Sequence, residues 1–249
     1  MQINLRDRHI KVGKESIWKI LGVPFGGIRV VKDTKGGSDA DKVVENEKNR
    51  YDKVPISFKN IVDKIREDSY DDEEMFKIDF VMLFMATMIA STKNGHAMYT
   101  MLELFCLEKD FKDHDWCQFI LDTIRVCMSD WVGCNSKSYF RGPLTVLELL
   151  YLDSTACPGF VEERTKAPIS FWTHEMISLR KDIEIKNGGF GLGDIRELYA
   201  DNVDYECLSQ DEVVIYRKET MKLYLFVLMG CQKRSVFLEL LRCVTRLRN

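Results

Sequence analysis

Proline and histidine are scarce in this chain of 249 residues, at 5 and 4 respectively, and glycine reaches only 15. That composition excludes collagen-like and polyproline architectures, and with 45% apolar residues it disfavours a disordered chain. Charge of one sign is lacking too. The formal net charge is −3, so there is no global basic field of the kind that coats nucleic acid. Long apolar runs are absent as well. The most apolar stretch, Phe80 to Ala90, is about 11 residues, against the ~20 that span a bilayer. The first residues, MQINLRDRHIKVGK, contain no apolar core resembling a signal peptide. A chain without membrane contact, inside the cell, is the expectation. No internal repeat of 20–50 residues is evident.

What is present is enough apolar sequence for a core. A chain of this length buries roughly 70–75% of its unfolded surface and needs no metal or disulfide to fold. The 8 cysteines are scattered, mostly inside helical patterns, and read as reduced thiols that fill space.

Periodicity predicts a mainly α fold with a small N-terminal β element. A strand is expected over His9 to Val12, a helix over Lys14 to Leu21, and a second strand over Ile28 to Val31 after the Gly26-Gly27 turn. Lys32 to Lys53 is nearly devoid of large apolar residues and reads as a solvated loop. Ser57 is placed to cap a helix carrying Phe58, Ile61, Val62 and Ile65 on one face. Acidic residues 71–74 precede a central apolar helix over Met75 to Ala90, which Asn94-Gly95 ends.

An amphipathic helix follows, with Trp116, Phe119, Ile120, Ile124, Cys127, Met128 and Trp131 as its stripe and Gly133 as its stop. Pro143 suits the first turn of the next, which Pro158-Gly159 closes. A further helix is expected over Ser170 to Asp182. Gly188 to Gly193 is then a flexible loop, and Ser209 to Glu212 has the form of a capping box before an apolar-periodic tail.

The residues capable of chemistry form no recognisable constellation. His114, Cys117, Cys127 and Cys134 are the tightest metal-capable set, but they lack the Cys-x2-Cys pair of structural zinc sites. Core thiols beside a surface histidine explain them better. His174 is the histidine best placed by its neighbours to serve a cysteine nucleophile. No cysteine has the glycine-flanked, helix-N-terminal setting that would lower its pKa, so a helix-surface histidine is the plainer reading.

Gly188-Gly-Phe-Gly-Leu-Gly193 superficially resembles a dinucleotide fingerprint, but the charged Lys181 to Lys186 does not read as the buried strand that motif needs. Val12-Gly-Lys-Glu lacks the upstream glycine of a phosphate loop. Met82, Met85 and Met88 read as core rather than a partner groove. Lys233, Arg234, Arg242, Arg246 and Arg248 could support weak, salt-sensitive nucleic-acid binding from the C-terminal helix.

Several motifs taken in order resemble the plant mobile domain family, often labelled aminotransferase-like. They are Ile17-Trp-Lys-Ile-Leu-Gly-Val-Pro-Phe-Gly-Gly27, Phe80 to Ala90 leading into Ser91-Thr-Lys, Asp113-His-Asp-Trp-Cys117, Leu147-Glu-Leu-Leu-Tyr-Leu152, and Phe171-Trp172 with Gly188-Gly-Phe-Gly191. The likeness covers residues 8–193, leaving 194–249 as a C-terminal helical extension. It is similar to the transposon-derived grass type found beside ubiquitin-like-protein-specific protease domains.

The resemblance implies a helical, nuclear module acting through an unknown, chromatin-associated protein partner, with no established catalytic residues and no cofactor. It also implies helices upstream of the first strand, so an N-terminal truncation is expected. A pyridoxal enzyme needs a Schiff-base lysine and a phosphate cup. Neither can be placed here, and transaminase activity is not expected. Two alternatives remain beside the non-catalytic reading: a remnant or regulatory part of a cysteine-protease gene, and the weak nucleic-acid binder.

Overall fold

The structure is a computed structural model, and it describes residues 1–30, 38–51, 56–67, 73–89, 113–131, 140–162, 164 and 168–198. The fold is mainly α, with one small two-stranded sheet at the N-terminus. The chain divides into two compact units, the first made of Met1–Val23, Met128–Phe140 and Leu144–Asn249, the second of Pro24–Cys127 and Arg141–Pro143.

In the first unit, β1 (Gln2–Asn4) and β2 (His9–Lys11) pair antiparallel with Ile3 opposite Ile10. Both isoleucines are buried, so the sheet turns one face to the core and the other to solvent. α1 (Lys14–Leu21) follows, and the Gly13 amide donates to Ser16 Oγ at its start. Its apolar face carries Ile17, Ile20 and Leu21. Gly22, at φ 65°, ends it by donating its amide to the Trp18 carbonyl.

α1 packs on α6 (Leu144–Ser154) and on the single turn α7 (Pro168–Phe171). α6 is buried almost all round, from Thr145 through Ser154, with only Glu148 half-buried. α8 (His174–Lys186) begins at Thr173, whose Oγ1 accepts from the Met176 amide. The helix expected over Ser170 to Asp182 is therefore two pieces. Trp172 is fully buried between them, stacked on Phe160, and the extended Thr173 restarts the chain as a cap.

The second unit holds α2 (Ser38–Asn49), α3 (Phe58–Glu67), α4 (Glu73–Phe84), a π-helical turn over Met85–Ile89, and α5 (Trp116–Trp131) up to Cys127. α2 corrects the expectation of a loop over Lys32 to Lys53. Its anchors are polar: Glu47 on the helix and Arg50 and Tyr51 just after it turn inward. Hydrophobic periodicity has nothing to detect there. α3 begins as expected, with the Asn60 amide donating to Ser57 Oγ and with Ile61 and Val62 buried.

Along α4, Phe76, Phe80 and Phe84 stack at i, i+4 spacing. The π turn extends this helix through Ile89, and Met82, Met85 and Met88 are all buried core. Phe84 meets Trp116 edge-on at 6.0 Å. Asp115 Oδ1 accepts from the Gln118 amide and caps α5.

The strand expected over Ile28 to Val31 reduces, among the described residues, to one bridge. Ile28 pairs in parallel with His114, exchanging backbone bonds with Asp113 and Asp115 at 2.8 Å each. Gly27 makes this approach possible. Its φ is +90°, and a Cβ there would stand 2.5 Å from the Asp113 carbonyl oxygen.

Candidate functional site

The C-terminus of α6 sets the chemistry of the first unit. A helix leaves its last four carbonyls without intrahelical partners, and α6 ends inside the protein. All four are met. Thr155 Oγ1 donates to Tyr151 O, and Arg180 Nη1 and Arg196 Nη2 donate to Leu152 O. Arg196 Nε donates to Asp153 O, and the Arg196 amide to Ser154 O. Two guanidinium groups thus stand at the negative end of the helix, where cations are favoured.

Arg180 is fully buried yet has a partner at every nitrogen. Nε donates to Glu184 Oε1 at 2.8 Å, and Nη2 donates to Thr155 O and Thr155 Oγ1 at 2.8 and 2.6 Å. Its guanidinium lies 5.3 Å from the Trp172 ring and 5.7 Å from the Tyr151 ring. Tyr151 donates its hydroxyl to Glu184 Oε2 at 2.6 Å and accepts from the Gly191 amide at 2.9 Å. Beside this cap, Arg164 forks onto both oxygens of Asp153, and Arg196 pairs with Glu162.

A recess of about 440 Å³ opens next to the network, lined by Cys157, Pro158, Glu184, Asn187, Leu192 and the backbone of Ala156, Gly189 and Gly193. Burial, and then the Glu184 carboxylate, push the Cys157 thiol up from its ordinary value. Burial and the same carboxylate push up the Tyr151 hydroxyl. No histidine is among the described residues that line it. On α6, desolvation alone raises Glu148 to about 7.

The second unit carries another inward cluster. Arg50 donates Nη1 to Glu47 Oε2 at 2.6 Å and Nη2 to Asp79 Oδ2 at 2.8 Å. Tyr51 donates its hydroxyl to Asp79 Oδ1 at 2.7 Å. Lys64 Nζ donates to Arg50 O and lies 4.6 Å from the Tyr51 ring centroid. Glu47 Oε1 is buried without a partner. Burial, then the Asp79 carboxylate beside it, raise Glu47 to about 8 against the opposing pull of Arg50.

The residues singled out by sequence are dispersed. His114 is buried, 6.1 Å from the Trp116 ring, which corrects the surface position expected for it. Cys117 is buried on α5, and Cys127, ten residues on, lies about 15 Å along the same axis. Those two thiols cannot share one ion, and Cys134 is outside the described residues. Among the described residues no cluster of three His, Cys, Asp or Glu is suited to a metal.

His174 is half-buried in the first turn of α8 and does not line the recess. Val12 and Gly13 lead into α1, Gly13 as its N-cap. Gly188 to Gly193 follows a helix rather than a strand, contrary to a dinucleotide fingerprint, and it is tied down at Gly191. The basic residues from Lys233 to Arg248 and the capping box at Ser209 lie outside the described residues.

Sequence reasoning missed Arg180, Glu184, Tyr151 and Cys157. A trace existed: Arg180 and Glu184 stand at i, i+4 on a helix with no coherent apolar stripe. No helix among the described residues is long and apolar enough to cross a membrane.

No curated protein and no solved structure matches the chain. The cap of α6 and its recess lie beyond the family likeness, which ends within α6, whereas the cluster of Glu47, Arg50 and Asp79 lies inside it. Residues 1–148 match the family described as "Domain of unknown function (DUF8566)", and the chain belongs to that family.

Proposed function

We propose that the chain is a non-catalytic helical interaction module, nuclear and chromatin-associated, of the transposon-derived kind that its resemblance to the plant mobile domain implies. The observation that carries this reading is the setting of Cys157. It is the thiol lining the recess beside the α6 cap, and its neighbours make it a poorer nucleophile rather than a better one. Nearby acid and base groups are engaged within the protein: Arg180 caps α6, and Glu184 accepts from Arg180 and Tyr151.

A recess with such walls is suited to holding a partner's side chain rather than transforming it. Leu192, 45% exposed on the recess wall, supplies apolar surface for that purpose.

Alkylation of the full chain near neutral pH tests the proposal. Cys157 should react slowly, and no thiol should stand out. One cysteine that alkylates selectively and supports turnover of ubiquitin-like-protein conjugates would overturn it in favour of the protease reading. Proximity labelling in plant nuclei should return a reproducible set of protein neighbours, and labelling confined to another compartment would refute the nuclear assignment.

A further inference from the structure

Glu47 is 2% exposed, and its two oxygens have different fates. Oε2 accepts from Arg50, while Oε1 is buried with no donor in reach. The group beside it is another carboxylate, Asp79, itself fully buried and near enough for its charge to act on Glu47. One guanidinium therefore faces two acids. An ionised Glu47 would leave negative charge on an oxygen with nothing to stabilise it, whereas a protonated one gains the donor that the pair lacks.

We propose that Glu47 is held as a neutral acid that donates its Oε1 proton to Asp79, so that the contact between α2 and α4 is a proton-dependent clasp, closed in acid and loosened as the pH rises. The charged and titratable groups around it, among the described residues, are Arg50 and Tyr51 after α2, Asp79 on α4, and Lys64 on α3. α2 offers little apolar sequence of its own, since SDADKVVENEKN carries only two valines and an alanine as apolar residues.

The sign follows from linkage. Glu47 is raised from an ordinary 4.5 to about 8, so its contribution is complete below the lower value and is lost progressively up to the higher.

Carboxyl NMR of the full chain labelled with carbon-13 glutamate provides the test, with the Glu47 signal assigned by its loss in Glu47→Gln. Its midpoint should lie near 8, and a midpoint below about 6, in the ordinary carboxylate range, would overturn the proposal. Amide exchange needs no variant. Protection of α2 in the native protein should fall on the order of a hundredfold between about pH 6 and pH 9, while amides of α6 serve as the reference. Constant α2 protection would also overturn it. Glu47→Gln, whose amide nitrogen can replace the donor, should keep α2 protected throughout, and a pH response equal to that of the native protein would count against the clasp.

Discussion

Arg180 and Arg50 both turn inward onto carboxylates, and they differ in what surrounds them. Arg180 in the first unit meets one carboxylate, a hydroxyl and two carbonyls, every nitrogen used. Arg50 in the second meets two carboxylates, one of which keeps a buried oxygen unpartnered. The first arrangement balances donors against acceptors and completes a helix end. The second has more acceptors than donors and is balanced by a proton. A buried charge is tolerable in either case, but only the second should respond to pH within the neutral range.

Removing Arg180 should give the largest effect. Arg180→Met takes the donor from Glu184 Oε1 and from the Thr155 carbonyl and leaves Leu152 O to Arg196 alone, and should destabilise the first unit by about 3–5 kcal/mol in urea unfolding. A loss near zero would show that the cap is dispensable. Tyr151→Phe deletes the bond to Glu184 and the anchor of Gly191. It should lower stability by about 1–3 kcal/mol and speed amide exchange at Gly191 more than in α8. The smallest effect is expected at Arg29, whose pairing with Asp122 is exposed. Arg29→Ala should change stability by less than about 1 kcal/mol, and a larger loss would mean that surface pairs count here as much as the buried ones.

The elements legible in the sequence are those held by apolar periodicity. α1 was readable to the residue, because Ile17, Ile20 and Leu21 face the core and Gly22 ends the helix. α5 was readable from Trp116, Ile120 and Ile124, and the start of α3 from the Ser57 cap. α2 was not, because it is fastened by Glu47 and by the Arg50 and Tyr51 that follow, residue types that pattern reading assigns to solvent. The same blindness hid Arg180 and Glu184, the only buried positions on α8. The glycines at 188–193 were read as a loop rather than a dinucleotide fingerprint, and a turn is what they form, but its tie to the Tyr151 hydroxyl was not legible. A charged side chain is visible in a sequence, and the partner that draws it inward is not.

Of the 4 tryptophans, Trp116 alone falls in the second unit, and it is 1% exposed. Its indole is a built-in optical reporter for that part of the chain. Subtracting the emission of Trp116→Phe from that of the native protein isolates one unit's melting curve from the other's without any added label. Whether the two fall apart at one temperature or at two becomes a matter of comparing a pair of fluorescence traces.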